Sequence, residues 1–134
     1  MIRILGNSTR KSDINFYRNG RIDITARLGK ILSIKQGDVI DLLTDKGEYY
    51  IYVRHRSKDI GLGRYEGQCC PTSKAKKCHN FRAYSKKLCD AMLSLYPDKE
   101  YRVRLPIGEV VDDPAYGKCV TIIHLNNLQN ENRG

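Results

Sequence analysis

The residues best suited to metal or thiol chemistry lie in one stretch near the middle of the chain. Cys69-Cys70 and Cys78-His79 place four nitrogen or sulfur donors within eleven residues. Structural zinc sites usually take cysteine pairs separated by about two to four residues, a spacing that adjacent cysteines do not provide. We therefore predict no metal site and no cofactor, and zinc binding by these four residues is the alternative.

Thiol catalysis is the second chemistry that these residues suggest. Cys78 lies beside His79 in a basic segment that also holds His55, and nearby positive charge lowers a thiol pKa and makes the thiolate a better nucleophile. The chain has no glycine-rich phosphate loop with its lysine and no His-Glu pair at metal-binding spacing. The sequence therefore predicts no enzyme and no catalytic residue.

Positive charge is concentrated in the same part of the chain. The formal net charge is +9, and residues 54–87 hold ten basic residues and two acidic ones, whereas residues 88–134 hold five and seven. Such a segment attracts polyanions, of which nucleic acid is the commonest in a cell. Residues 54–79 are predicted to form a long basic loop. Its candidate nucleic-acid contacts are Arg54, Arg56, Lys74, Lys76 and Lys77.

Length and composition restrict the class of protein. The chain has 134 residues, 40% of them hydrophobic, which indicates a single compact domain over 1–134. No apolar run approaches the roughly 20 residues that a membrane-spanning helix needs, and residues 1–6 lack the apolar core of a signal peptide. These features predict a cytoplasmic protein without a membrane partner.

The first half of the chain has the pattern of a strand–helix–strand unit over residues 14–53. Apolar and polar residues alternate over 14–24 around Asn19-Gly20, which predicts a β-hairpin. Thr25 is a candidate N-cap for a short helix near 26–32. Two further strands are predicted at 39–43 and 48–53.

The second half, residues 80–125, is predicted to hold a longer helix and two strands. Apolar residues follow a helical stripe over 80–96, with Asn80 as the N-cap. Alternating patterns predict strands at 101–105 and 119–125, and Cys89 and Cys119 are expected to be buried. The predicted fold is therefore α+β, with a small β-barrel or a strongly curved, mostly antiparallel sheet.

Residues 20–43 carry the most specific motif in the chain. They read Gly-Arg-Ile-Asp-Ile-Thr-Ala-Arg-Leu-Gly-Lys-Ile-Leu-Ser-Ile-Lys-Gln-Gly-Asp-Val-Ile-Asp-Leu-Leu. This segment resembles the AbrB/SpoVT/MazE family of regulators and antitoxins, whose motif it follows without a gap from Gly20 to Ile40. Three positions depart from the motif: Thr25 stands where proline is usual, Gly29 where arginine faces DNA, and Ser33 where glycine is common.

The resemblance implies both a fold and a function. In that family two copies interlock as a swapped-hairpin barrel, and basic side chains on one face hold duplex DNA. It implies that Arg21 and Lys30 contact phosphates or bases, and that the chain is a homodimeric DNA-binding protein of transcription regulation. The alternative is that Arg21 is a solvent-facing side chain on a strand and has no role in binding.

A weaker similarity links the two halves of the chain. Ile31-Leu32-Ser33-Ile34 has a counterpart in Met92-Leu93-Ser94-Leu95, and each precedes a turn and a strand. If this is a repeat, one chain supplies both halves of a barrel and acts as a monomer. Chance similarity between two helix-to-strand junctions is the alternative.

Two other functions remain open from the sequence. Tyr49, Tyr50 and Tyr52 could stack on unpaired bases, which would make the protein an RNA or single-stranded nucleic acid binder, although core packing is favoured for at least two of them. The chain could also be an antitoxin-like protein-interaction module whose basic loop folds on an acidic protein.

Overall fold

A computed structural model describes residues 11–61, 63–74, 80–96 and 101–124. These residues form nine strands and two helices. In chain order the elements are β1 (Ile14–Tyr17), β2 (Arg21–Ile24), α1 (Ala26–Ile31), β3 (Val39–Asp45), β4 (Glu48–Arg54), β5 (Cys70–Pro71), β6 (Phe81–Tyr84), α2 (Lys86–Leu93), β7 (Arg102–Leu105), β8 (Ile107–Asp113) and β9 (Gly117–Ile122).

The strands form two antiparallel sheets. Sheet A has five strands in the order β5-β6-β2-β1-β7, and sheet B has four in the order β3-β4-β9-β8. The predicted α+β class is confirmed. Among the described residues the strands form two sheets and no closed barrel. An isolated bridge from Val39 to Gln68 connects β3 with the segment just before β5.

The N-terminal hairpin is confirmed. Ile14 pairs with Ile24 and Phe16 with Ile22, and the turn closes through a hydrogen bond from the Gly20 N–H to the Tyr17 carbonyl. Gly20 has a φ of +99°, a conformation that glycine adopts without steric cost. Asn19 stabilises the same turn, because its Oδ1 accepts from the Arg21 N–H at 3.0 Å.

The short helix is also confirmed, with Thr25 as its N-cap. The Thr25 hydroxyl accepts from the Leu28 N–H and donates to Asp13 Oδ1 at 2.8 Å. The first hydrogen bond satisfies a backbone N–H of the first turn that has no partner within the helix. The second links the start of the helix to the chain segment before β1. Leu28 and Leu32 are both buried in the core.

The prediction of one helix over 80–96 is wrong in its first part. Residues Phe81–Tyr84 are strand β6, and Ser85, not Asn80, caps the helix by accepting from the Leu88 N–H at 3.1 Å. Phe81 and Ala83 are buried while Tyr84 is exposed, so these residues follow the period of two that a strand requires. Pairing with β2 therefore outweighs the local helical pattern.

Strand β8 was not predicted. Its residues from Gly108 to Asp112 are all exposed, so no alternation of apolar and polar residues signals a strand there. It forms because it pairs with β9 at an edge of sheet B, with a register irregularity between Ile107 and Val110.

The two halves of the described chain share one order of elements. Each has a strand pair (β1–β2 and β5–β6), then a capped helix (α1 and α2), and later a hairpin in sheet B (β3–β4 and β8–β9). Strands β2 and β6, one from each half, pair in sheet A, and β4 and β9, one from each half, pair in sheet B; β7 of the second half has no counterpart in the first. The offset that aligns Ile31 with Met92 also aligns Arg21 with Arg82, and Arg21 pairs with Tyr84 as Arg82 pairs with Asp23. The β2–β6 pairing is therefore compatible with an approximate two-fold relation between the halves.

One hydrophobic core lies between the sheets. Ile14, Phe16 and Ile22 from sheet A and Ile51 and Val120 from sheet B are all fully buried and belong to a single cluster. Burial of one face of each sheet leaves the other face to solvent, so alternate residues of each strand form two separate outer surfaces.

The corner where the sheets meet gives a test of the fold. Gly67 accepts a hydrogen bond from the Ile40 N–H, and a Cβ at Gly67 would lie 2.7 Å from the Ile40 carbonyl oxygen. Gly47 has nearly the same φ (+82° against +81°) but open space around it. Gly47→Ala should cost about 1–2 kcal/mol for the left-handed conformation, and Gly67→Ala should cost roughly 1–3 kcal/mol more. Urea denaturation of both variants measures the difference, and equal losses would contradict this packing.

Candidate nucleic-acid interface

The outer face of sheet A is rich in arginine. Inward residues of its strands, such as Ile22, Ala83 and Val103, are buried. The charged residues of these strands alternate with the buried ones and so lie on the outer face. They are four arginines and one aspartate: Arg21, Arg82, Arg102, Arg104 and Asp23. We call these four arginines the arginine face. Such a surface carries excess positive charge on a regular scaffold, which is the electrostatic requirement for holding a polyanion.

Tyr17 lies at the centre of this face and supports two of the arginines. The guanidinium carbon of Arg21 lies 4.0 Å from the centroid of the Tyr17 ring, and that of Arg102 lies 6.0 Å from it. Tyr101 makes an edge contact with the same ring at 6.1 Å. Cation–π contacts hold guanidinium groups in place without neutralising their charge. Burial disfavours the Tyr17 phenolate, but Arg21 and Arg102 outweigh burial and lower the pKa of Tyr17.

Asp23 is shared between two arginines. Its Oδ1 accepts from Arg82 Nε at 2.7 Å, and its Oδ2 lies 3.3 Å from Arg21 Nη2. One carboxylate thus orients two guanidinium groups that come from neighbouring strands. Because it can balance only one of their charges, the pair keeps a net positive charge.

The face also has unsatisfied polar atoms and a shallow cavity. Among the described residues, Asn15 Oδ1 and Arg21 Nε are buried without a hydrogen-bond partner. A cavity of about 240 Å³ opens beside Asn15, with Asp23 and Arg82 also in its lining. Buried polar atoms that lack partners are rare in folded proteins, and here they lie beside the charged groups of the face.

The spacing of the arginines follows from the strand order. Arg21 and Arg82 lie on β2 and β6, and Arg102 and Arg104 lie on β7, with β1 between the two groups. Neighbouring strands are about 4.8 Å apart, so the groups are separated by roughly 10–14 Å across the sheet. The major groove of B-DNA is about 12 Å wide, which is comparable to that separation.

Of the residues predicted from the motif, Arg21 lies on the arginine face and Lys30 does not. Arg21 is partly exposed, with 31% of its side chain accessible. Lys30 is exposed in the last turn of α1, outside the strands of sheet A.

The residues predicted from the basic loop lie in different places. Arg54 ends β4 in sheet B, and the Arg56 side chain lies over Gly37. Lys74 is exposed just after β5, at the edge of sheet A. Lys76 and Lys77 lie outside the described residues. Arg54 and Arg56 thus lie two residues apart at the end of β4, and Lys74 lies by sheet A.

The start of the basic segment is attached to the body of the protein by Asp38. This buried carboxylate accepts from His55 Nδ1 and from the Arg56 N–H, each at 2.9 Å. Further along, Cys69 is buried and Cys70 belongs to β5. Residues 54–74 thus include ordered packing as well as loop, which the lack of hydrophobic periodicity did not reveal.

Two of the described cysteines, Cys69 and Cys89, are buried thiols. Burial raises the pKa of Cys69 to about 12 and that of Cys89 to about 11. Such thiols remain protonated near neutral pH and are poor nucleophiles. Within the described ranges there is no group of three His, Cys, Asp or Glu side chains placed to hold a metal. Cys78 and His79 lie outside those ranges, so the zinc and thiol alternatives that use them stay predictions.

The three tyrosines of β4 are divided between the two faces of sheet B, with Tyr49 on the core side and Tyr50 and Tyr52 on the outer side. Tyr52 is only 7% exposed, and the Tyr49 ring packs edge-on against the buried His124 ring at 5.2 Å. The preference for core packing by at least two of them therefore agrees with the structure. Tyr84 on β6 and Tyr101, which directly precedes β7, are more exposed, at 60% and 61%.

Three other arginines of this face were not selected from the sequence. Arg82, Arg102 and Arg104 lie on β6 and β7, far from Arg21 in sequence, and reach it only through strand pairing. The alternation of Arg102 and Arg104 with apolar residues correctly indicated a strand. No local signal indicated that this strand joins the hairpin containing Arg21.

Comparison of the chain with protein-family models, with curated proteins and with solved structures finds no match in any of the three. In the part of the chain that the structure describes, neither helix has the length and apolar character needed to cross a membrane.

The contact between Tyr17 and the arginines can be tested by titration. Arg21→Ala removes one of the two guanidinium groups that lower the Tyr17 pKa, so that pKa should rise. NMR of protein carrying ¹³C-labelled tyrosine follows the phenol carbon as pH increases. Arg104→Ala is the matched control, because Arg104 is exposed and is not among the groups that shift the Tyr17 pKa. A Tyr17 titration that Arg21→Ala leaves unchanged would contradict the arrangement.

Proposed function

We propose that this protein is a DNA-binding protein of the transcriptional-regulator type and that it binds duplex DNA through the arginine face. One observation carries the proposal: four arginines from three strands lie on one outer sheet surface with a single carboxylate among them. Arg21, which the family resemblance marks as a DNA contact, is one of the four. The resemblance of residues 20–43 to AbrB-like proteins supports the proposal and is itself part of it.

The width of sheet A favours contacts with phosphates. Five strands span about 19 Å, so the sheet is too wide to enter a major groove of about 12 Å. It can lie across the groove instead, with Arg21 and Arg82 on the phosphates of one strand and Arg102 and Arg104 on those of the other. Phosphate contacts fix orientation and supply affinity but carry little sequence information. We therefore expect modest sequence preference.

The two-fold relation between the halves bears on the number of chains. In the family that the motif resembles, two chains supply two copies of the strand–helix unit. Here one chain supplies β2 with α1 and β6 with α2, and the two central strands pair with each other. We infer that one chain is sufficient for binding, and that the homodimer implied by the resemblance is not needed.

A single-stranded nucleic acid is the second candidate, and exposed aromatic rings favour it. Tyr84 and Tyr101 lie on opposite sides of the arginines, with most of their rings accessible. Bases of an unpaired strand stack on such rings, whereas the bases of a duplex are already stacked. Tyr84→Ala separates the two candidates, since it should weaken binding of a single strand much more than binding of a duplex.

The salt dependence of duplex binding tests the proposal. For a contact dominated by phosphates, log affinity falls linearly with log salt, by about 0.9 for each phosphate contacted. Arg21→Ala and Arg102→Ala should each reduce the slope by about 1 and weaken binding to unrelated sequences alike. Fluorescence anisotropy of a labelled duplex over a salt series measures both quantities.

Lys118→Ala is the matched control for these variants. Lys118 is exposed on β9 of sheet B, so its loss removes one positive charge away from the arginine face and should leave the slope unchanged. An unaltered slope in both arginine variants would remove the face from the interface. Absence of binding to duplex and single strand at low salt would overturn both candidates.

The number of chains is tested by light scattering across a concentration series. The internal two-fold relation predicts the mass of one chain, both free and when one protein is bound to a short duplex. A stable dimer would support the homodimer that the family resemblance implies.

A further inference from the structure

The outer face of sheet B has the opposite charge to the arginine face. Its strands hold six acidic residues and two basic ones. The register places Asp41, Asp45, Glu48 and Asp113 on the outer face with Arg54, whereas Asp112 and Lys118 pair on the face that carries buried Val120. Within the described chain, no ion pair joins Asp45 or Asp113 to a basic side chain. This face therefore repels nucleic acid and attracts cations.

An apolar groove crosses the same face. The cavity has a volume of about 370 Å³ and lies between β3 on one side and the β8–β9 hairpin on the other. Its apolar lining consists of Leu43, Tyr50, Val111, Tyr116 and Cys119. Tyr116 is 48% exposed and Val111 is 40% exposed, although both border buried residues. Asp45 and Asp113 also line the cavity, so the apolar floor has carboxylates at its edges.

Groups inside the groove respond to these carboxylates. Burial raises the pKa of Tyr50, and the negative charges of Glu48 and Asp45 raise it further. Burial likewise raises the pKa of Cys119, with Asp113 and Asp112 adding to the effect. Both shifts have the sign expected for a negative potential, which disfavours a phenolate or thiolate.

We propose that this groove binds a cationic segment of a partner protein. An apolar side chain of the segment packs against Tyr50 and Val111, and flanking lysines or arginines lie beside Asp45 and Asp113. The volume lies at the low end of the roughly 300–1,000 Å³ range of ligand sites, so it holds only one or two anchoring side chains. The acidic surroundings then supply the attraction that an apolar groove of this size lacks.

The negative charge of this face favours a cationic protein segment over nucleic acid and over a purely apolar segment. Nucleic acid carries the wrong sign, and a purely apolar segment would bring no positive charge to Asp45 and Asp113. The groove and the arginine face use different sheets, so the partner and a duplex can bind the same chain together. The proposal does not depend on DNA binding.

The test uses two labelled peptides, one alternating lysine with leucine and one alternating glutamate with leucine. Fluorescence anisotropy with the full chain should show the lysine peptide binding roughly tenfold or more tightly than the glutamate peptide, with affinity that falls as salt rises. Val111→Lys places a positive charge over the groove and should reduce lysine-peptide affinity by about tenfold. Asp45→Lys should act in the same direction without altering the apolar lining, since Asp45 is an exposed carboxylate at the edge of the groove.

Gln36→Lys is the matched control, since it adds the same charge at an exposed position beyond the other end of β3. It should leave peptide affinity unchanged, and circular dichroism verifies that each variant is folded. Equal binding of the two peptides would overturn the proposal. So would unchanged lysine-peptide affinity in both groove variants, or self-association of the wild-type chain that Val111→Lys abolishes, because the occupant would then be a second copy.

Discussion

The pairing of β2 with β6 is the interaction on which the rest of the structure depends. It joins the two halves of the chain at the centre of sheet A, over the register that places Ile22 opposite Ala83 and Asp23 opposite Arg82. A shift of one residue would turn buried Ile22 and Ile24 outward and Arg21 and Asp23 into the core. The same register therefore determines both the hydrophobic core and the identity of the side chains that reach solvent. The arginine face is a consequence of this register together with the pairing of β1 with β7.

Local features of the fold were predictable where a short segment determines its own structure. Asn19-Gly20 indicated the first hairpin, and Thr25 indicated the start of α1, because turns and caps depend on a few neighbouring residues. The structure of residues 81–84 was not predictable in this way. Phe81 and Tyr84 fit a helical stripe, and only pairing with β2, distant in sequence, makes the segment a strand. Strand β8 likewise depends on its neighbour β9 and lacks an apolar pattern of its own.

The candidate site shows the same division between local and distant information. The motif indicated Arg21, which does lie on an outer sheet face, whereas the linear distribution of charge directed attention to residues 54–79. In the fold, charge is separated by sheet: the strands of sheet A carry four arginines and one acidic residue, and those of sheet B carry six acidic residues and two basic ones. A count along the chain cannot show this separation, because each half of the chain contributes strands to both sheets.

The central claim is that nucleic acid lies against the outer face of sheet A. Backbone amide NMR shifts, recorded while a short duplex is added to isotope-labelled protein, test this claim most directly. The account predicts that the largest shift changes occur in β1, β2, β6 and β7, with little change in β3, β4, β8 and β9. Shift changes concentrated in sheet B, or confined to residues 54–74, would contradict it.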